Sequence, residues 1–408
     1  MVTLKIRILA LAMLLCAVAG AAAAEKPVSP AEHFGFEPGA DGMLFDYEEL
    51  IGYLRGLEAA SPRAALVEIG SSPRNRPMYV LLVSAPGNID RIDRLREINR
   101  RLALDTLLAG PERDALIEEG RVFLLSTLSM HSSEVAPSQA LPLIGWRLST
   151  TEDPDTLRWL DDVVCMFVPS HNPDGMDMVV EHYRKNRGTR LEGSRMPGVY
   201  HEYVGHDNNR DFISLTQSDT RAVARIYNLD WFPQVMVEKH QMGSTGARFF
   251  VPPNHDPIAE NVDAGIWSWI GVFGSNLMKD MTASGLAGVS QHYLFDNYWP
   301  GSTETCIWKN VIGFLTEAAS AQYARPVFVE LRLHVEDHRS RGGRRLVLRL
   351  RLVLFLRRLR RDDLVRSGPY VRRFLFLAFL ALLPILLFLP LLLRSGDRWS
   401  GLGKQHVQ

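Results

Sequence analysis

The chain has 408 residues, with 46 Lys+Arg balanced by 46 Asp+Glu, a length that holds one large core or two smaller ones. The balance hides an asymmetry: residues 1–325 carry 29 basic against 40 acidic side chains, and the remainder carries 17 against 6. An acidic body with a basic end speaks against a nucleic-acid-binding core, so no nucleic-acid partner is expected.

Residues 1–24 read as an export signal. Lys5 and Arg7 form a basic start, Ile8 to Val18 is apolar, and Ala22-Ala23-Ala24 offers a small-residue cleavage site before Glu25. The apolar run is short for a membrane span. The mature chain is therefore expected outside the cytoplasm, periplasmic or extracellular. Cys16 leaves with the signal. Cys165 and Cys306 remain, either as one disulfide or as two buried thiols.

After a loop-rich stretch at 25–50, helical spacing begins at Tyr47 and runs to Leu57. Two strands follow at Ala65–Ile69 and Met78–Val83, separated by the turn-like Ser71–Arg76. Asn88 to Leu107 has the pattern of a charged surface helix. Apolar runs then alternate with helical stretches, the α/β pattern. Four runs matter: Arg121–Leu128 before His131, Val163–Val168 before Ser170-His171-Asn172-Pro173-Asp174-Gly175, Pro233–Val237 before Glu238-Lys239-His240, and Val311–Thr316 before Glu317. Ligands bind at the carboxyl ends of strands in open α/β sheets, so four such ends suggest one convergent site.

His131 and Glu134 form an HxxE pair, a spacing that turns an imidazole and a carboxylate toward one ion. His240 is the best candidate for a third ligand. Two His and one carboxylate make a catalytic zinc set with an open position. Glu238 is placed to orient the His240 ring. A rival, His201-Glu202-Tyr203-Val204-Gly205-His206, has one residue too many for HExxH, and Pro197, Gly198 and Gly205 oppose a helix there. Both histidines read as loop residues near the site. His171 reads as a hydrogen-bonded structural histidine, NPDG as structural support, and Trp231, Trp267, Trp269 and Trp299 as core.

The segments MHSSE, HNPDG, YRKNR, GHDNNRDF, EKHQMG and FLTEAAS occur in that order. Together they resemble the successive signatures of the zinc carboxypeptidase family, over about residues 121–319. The resemblance implies a mixed, largely parallel central sheet with helices on both faces, one Zn2+ per chain, and a peptide substrate with a free C-terminus. It implies zinc ligands at His131, Glu134 and His240 and a general base at Glu317. Arg184 in YRKNR would polarise the scissile carbonyl, and Asn209 and Arg210 would grip the terminal carboxylate. A mobile-loop tyrosine would be Tyr298, with Tyr293 as the alternative. His206, Asn208 and Gln241 depart from the family's usual residues and leave the substrate open. The alternatives are an inactive peptide- or glycan-binding relative, and a zinc amidohydrolase acting on peptidoglycan peptides or acylated amino acids.

The domain expected is 25–327, cut short at its C-terminal end. Residues 328–408 are rich in Arg and Leu, with no lysine between Asn310 and Gly403. The run Phe374–Leu393 is uncharged and long enough to anchor the chain in a membrane. Out-of-frame reading of GC-rich DNA is the other account, and it explains more of this composition.

Overall fold

The computed structural model describes residues 26–201, 205–244, 246–254, 259–291, 301–320 and 322–325. The proposed signal at 1–24, Tyr293, Tyr298, Trp299 and the tail with its 374–393 run lie outside the described residues. Among the described residues no helix is long and apolar enough to cross a membrane.

The first long helix, Tyr47–Ala60, is set by a capping box: Asp46 accepts from the Glu49 amide at 3.0 Å and Glu49 from the Asp46 amide at 2.7 Å. It buries Leu50, Ile51, Leu54 and Leu57. β1 (Ala64–Ser71) and β2 (Pro77–Val83) then pair antiparallel. The surface helix expected over 88–107 is two pieces, Pro86–Ile89 and Ile92–Leu104.

The remaining strands are β3 (Val122–Leu128), β4 (Val163–Val168), β5 (Val235–Gly243), β6 (Phe249–Phe250), β7 (Val289–Ser290) and β8 (Ile312–Ser320). They form one eight-stranded sheet in the order β1-β2-β4-β3-β5-β8-β6-β7. Its centre, β4-β3-β5-β8, is parallel, while β2 joins β4 and β6 joins β8 antiparallel. Every residue of β4 is buried, and so are six of the seven in β3, so helices cover both faces. This is the mixed, largely parallel sheet that the sequence implied. Cys165 and Cys306 are free and buried, which resolves the alternative toward thiols.

Two strands run further than their apolar patterns suggest. β5 continues through Glu238, Lys239 and His240, and β8 through Glu317, because the two pair with each other as far as Gly243 and Ser320. β3 stops at Leu128, opposite Lys239. His240 and its partner Glu317 therefore stand just past the end of β3, at the carboxyl edge of the sheet. Gly313 in β8 lets the helix Ser302–Ile307 lie against the strand, since a Cβ there would meet the Thr303 carbonyl at 2.8 Å and overlap Cys306 Sγ.

Candidate metal centre

The loop after β3 carries His131 and Glu134. Ser129 adopts φ +46°, and its hydroxyl donates to the Glu134 carbonyl at 2.7 Å while accepting from the Ser138 amide at 3.1 Å. A tight turn, Glu134 N–H to His131 C=O at 2.8 Å, then places both side chains on one side. The HNPDG segment supports this loop from below. Ser132 Oγ donates to the Asn172 carbonyl at 3.0 Å, Asn172 caps the helix Pro173–Asn186 through the Gly175 amide at 2.9 Å, and a Cβ on Gly175 would collide with Ser132. Asp174 is buried and accepts from Ser72 Oγ at 2.8 Å and the Arg74 amide at 3.0 Å, which ties the β1–β2 turn to the same support.

The two imidazoles converge on one carboxylate. His131 Nδ1 lies 3.0 Å from Glu134 Oε1, and His240 Nδ1 lies 3.0 Å from Glu134 Oε2. Ligand atoms of these three residues lie within 4.8 Å of one another. Each ring meets a second carboxylate on its far side: His131 Nε2 is 3.0 Å from Asp207 Oδ1, and His240 Nε2 is 3.2 Å from Glu238 Oε2. An outer carboxylate on the second nitrogen is how histidine ligands are oriented around a metal.

The electrostatics also call for a cation. Burial works against a charged His131, yet Asp207 and Glu134 raise it to about 9. Burial likewise opposes a charged His240, but Glu134 and Glu238 raise it well above the usual range. Burial alone would raise Glu134, and the two imidazoles hold it at about 2. A cluster that draws protons onto buried imidazoles is one whose surplus negative charge a divalent cation would neutralise. The donor set of two nitrogens and a carboxylate fits zinc.

Glu317 completes the group. It sits beside His240 in register, and its Oε2 is buried without a hydrogen-bond partner among the described residues. Burial pushes its carboxyl up to about 7, against the pull of His240.

Asn209 and Arg210 are brought to the rim. Asp207 accepts from the Asn209 amide at 2.8 Å, Asn208 donates to the Met130 carbonyl at 2.9 Å, and Asn209 accepts from the Ser302 amide at 3.1 Å. The Asn208–Arg210 turn is thus fastened to the metal loop on one side and to the helix Ser302–Ile307 on the other. Arg210 is exposed. Two departures from the family pattern gain a physical reason here: Asn208 makes that bond to Met130, and Gln241 accepts from the Ala136 amide at 2.8 Å.

Two expectations need correction, for His171 and for Trp267 and Trp269; Arg184, meanwhile, is engaged by residues at the start of the first long helix. It lies near the end of the helix Pro173–Asn186, nine residues and about 14 Å along the axis from Gly175. Its guanidinium is held by Asp46 at 2.8 Å, Glu49 at 2.6 Å and the Leu44 carbonyl at 3.1 Å, because the capping box of the first helix offers two carboxylates there. His171 is fully buried, but neither ring nitrogen has a hydrogen-bond partner among the described residues. It packs edge-on to Phe212 at 5.6 Å, and burial pushes it down to about 4, so it is neutral. Trp267 and Trp269 are only partly buried at the core's margin, whereas Trp231 is buried as expected.

The rival histidines stay out of the ligand set. His206 pairs with Asp211 at 3.0 Å, and His201 is buried beside Tyr200. Sequence reasoning missed Asp207, although it stands in GHDNNRDF two residues before Asn209. It also missed Tyr200, whose ring lies 6.2 Å from that of His131.

The zinc carboxypeptidase family profile matches residues 50–229, a stretch that contains His131, Glu134, Arg184, Asn209 and Arg210 but ends before His240 and Glu317. Among curated proteins none matches. Bovine thrombin-activatable fibrinolysis inhibitor, solved in complex with tick carboxypeptidase inhibitor, is 13% identical, with 85% of this chain and 97% of that chain covered at a TM-score of 0.51. Carboxypeptidase A from Helicoverpa armigera is 14% identical over 77% of this chain and 71% of that chain, with a TM-score of 0.48. A metallo-carboxypeptidase from Burkholderia cenocepacia is 14% identical over 67% of this chain, covers 60% of its own length, and has a TM-score of 0.45. At such identities the bovine match supports the fold alone. Sheet and ligand group together give an α/β fold with a candidate metal site at the carboxyl ends of its strands. Residues 50–229 of the chain are similar to the zinc carboxypeptidase family.

Proposed function

We propose that this protein is an exported carboxypeptidase that removes C-terminal residues from peptides, with Glu317 as general base. The observation that carries this reading is the buried Oε2 of Glu317, without a hydrogen-bond partner among the described residues, beside the His131, Glu134 and His240 group. Those three residues would hold zinc, which when bound supplies Lewis acidity and brings the pKa of water to about 7. Glu317 takes a proton from the attacking water and returns it to the leaving amine. Burial, which raises its carboxyl from 4.5 to about 7, makes it a base suited to neutral pH. Asp207 holds the His131 ring, and Glu238 stands in ionic contact with the His240 ring. Arg210 offers a planar fork for a terminal carboxylate and Asn209 lines the same turn. The resemblance of residues 1–24 to a cleavable signal supports export.

The test uses the zinc-loaded full chain on peptide pairs with free and amidated C-termini. Free ends should be cleaved faster, and Arg210→Ala should shrink that preference. Glu317→Gln should keep its zinc and lose about 100–10,000-fold in rate. Equal cleavage of both peptides points instead to an endopeptidase or an amidohydrolase, and a Glu317→Gln rate within about tenfold of the parent removes Glu317 as the base.

A further inference from the structure

Hydrolysis of an amide puts negative charge on the carbonyl oxygen, and a site needs a donor aimed at that oxygen. Arg184, the residue implied for this role, is engaged by Asp46 and Glu49. Another donor stands beside the ligands. The ring of Tyr200 lies 6.2 Å from the His131 ring and is inclined to it by 50°. On its other side it meets His201 edge-on at 5.3 Å.

Its placement is built rather than incidental. The Tyr200 carbonyl lies against Gly175, where a Cβ would overlap it, so the backbone at 200 is fixed to the same support as Ser132. The Tyr200 carbonyl also accepts from Asn172 at 3.4 Å. The ring packs on a small apolar cluster of Leu44, Val179, Val180, Tyr183 and Tyr323, separate from the main core. Among the described residues no hydrogen bond engages its hydroxyl, although that hydroxyl lies within electrostatic range of Asp207 and Glu134. A phenol near two carboxylates and a metal group, with no hydrogen-bond partner among the described residues, is available to a substrate.

We propose that Tyr200 is a catalytic residue, its hydroxyl donating a hydrogen bond to the substrate oxygen that gains negative charge as the amide is attacked. No bond to Tyr200 forms or breaks, and its proton stays on the phenol. A phenol's ordinary value of about 10 keeps the proton on it at neutral pH. The inference rests on the carboxypeptidase reading above.

The test is Tyr200→Phe in the zinc-loaded full chain. This change removes one oxygen and leaves the ring on its apolar cluster, so the fold and zinc content should be retained. With a peptide bearing a free C-terminus, kcat should fall about 100-fold while KM changes less than about threefold. Binding gives an independent readout. A phosphonate analogue of an N-acylated dipeptide, which mimics the tetrahedral oxygen, should bind at least tenfold more weakly to the variant. The free dipeptide product should bind equally to both. A kcat within about threefold of the parent, or unchanged phosphonate affinity, overturns the role of Tyr200. A zinc-loaded parent that cleaves no peptide overturns the carboxypeptidase reading itself.

Discussion

Gly175→Ala probes the link between the helix that follows β4 and the metal loop. The added Cβ would fall closer than 3.0 Å to Ser132 Oγ and to the Tyr200 carbonyl oxygen, and 2.8 Å from Asn172 Nδ2. Ser132 can rotate, at the cost of its bond to the Asn172 carbonyl, but the Tyr200 carbonyl is backbone and has to move. Ordinary contact begins at 3.4 Å, so a shift of about 1 Å is forced on a loop that touches His131 or on the support beneath it. Overpacking of this kind costs about 1–3 kcal/mol, which for a domain this size lowers the melting temperature by roughly 2–5 °C. A misplacement approaching 1 Å costs up to about 100-fold in rate. The expected result is a lower melting temperature together with weaker zinc binding and a rate loss of about 10–100-fold. Thermal unfolding and zinc titration against a competing chelator measure both. A variant that melts, binds zinc and turns over like the parent would show that the loop is not braced through Gly175.

Asp219 is buried, and burial raises its carboxyl from 3.8 to about 6. Its folded-state value lies above its unfolded one, so the folded chain loses stability as pH rises from about 4 through 6, and Asp219→Asn should recover up to about 3 kcal/mol at pH 7.5 but little at pH 4 in denaturant titrations. The rate should rise with pH on an acid limb whose midpoint lies between 4.5 and about 7, since bound zinc lowers the raised Glu317 value, and that limb should vanish in Glu317→Gln. Burial pushes the Cys165 thiol up to about 12 and leaves Cys306 equally enclosed, so a thiol reagent should label neither in the folded chain and both in denaturant.

The sheet was legible because its central strands are continuous apolar runs, and VVCMFV maps onto β4 without a residue's error. The residues of the candidate site were legible because polar residues interrupt or follow such runs: a Glu inside FLTEAAS has few structural reasons to be there. The true ends of β5 and β8 were not, since the extension is set by mutual pairing of two strands 77 residues apart in register, which no local pattern reports. The partners of Arg184 were not legible either. Its neighbours in the sequence place it in a motif, but its partners, Asp46 and Glu49, come from the other end of the chain. Asp207 and Tyr200 sat in plain view, and only the fold brings them to His131. His171 looked like a residue that must be hydrogen-bonded, yet its enclosure among apolar and charged neighbours could not be read from HNPDG.

The central claim is that His131, Glu134 and His240 form one zinc site. Elemental analysis after equilibration with zinc and exhaustive dialysis tests it most directly, on the parent and on His240→Ala. About one zinc per chain in the parent and almost none in the variant is the expected result. Full occupancy in His240→Ala, or a parent that retains no zinc, would contradict it.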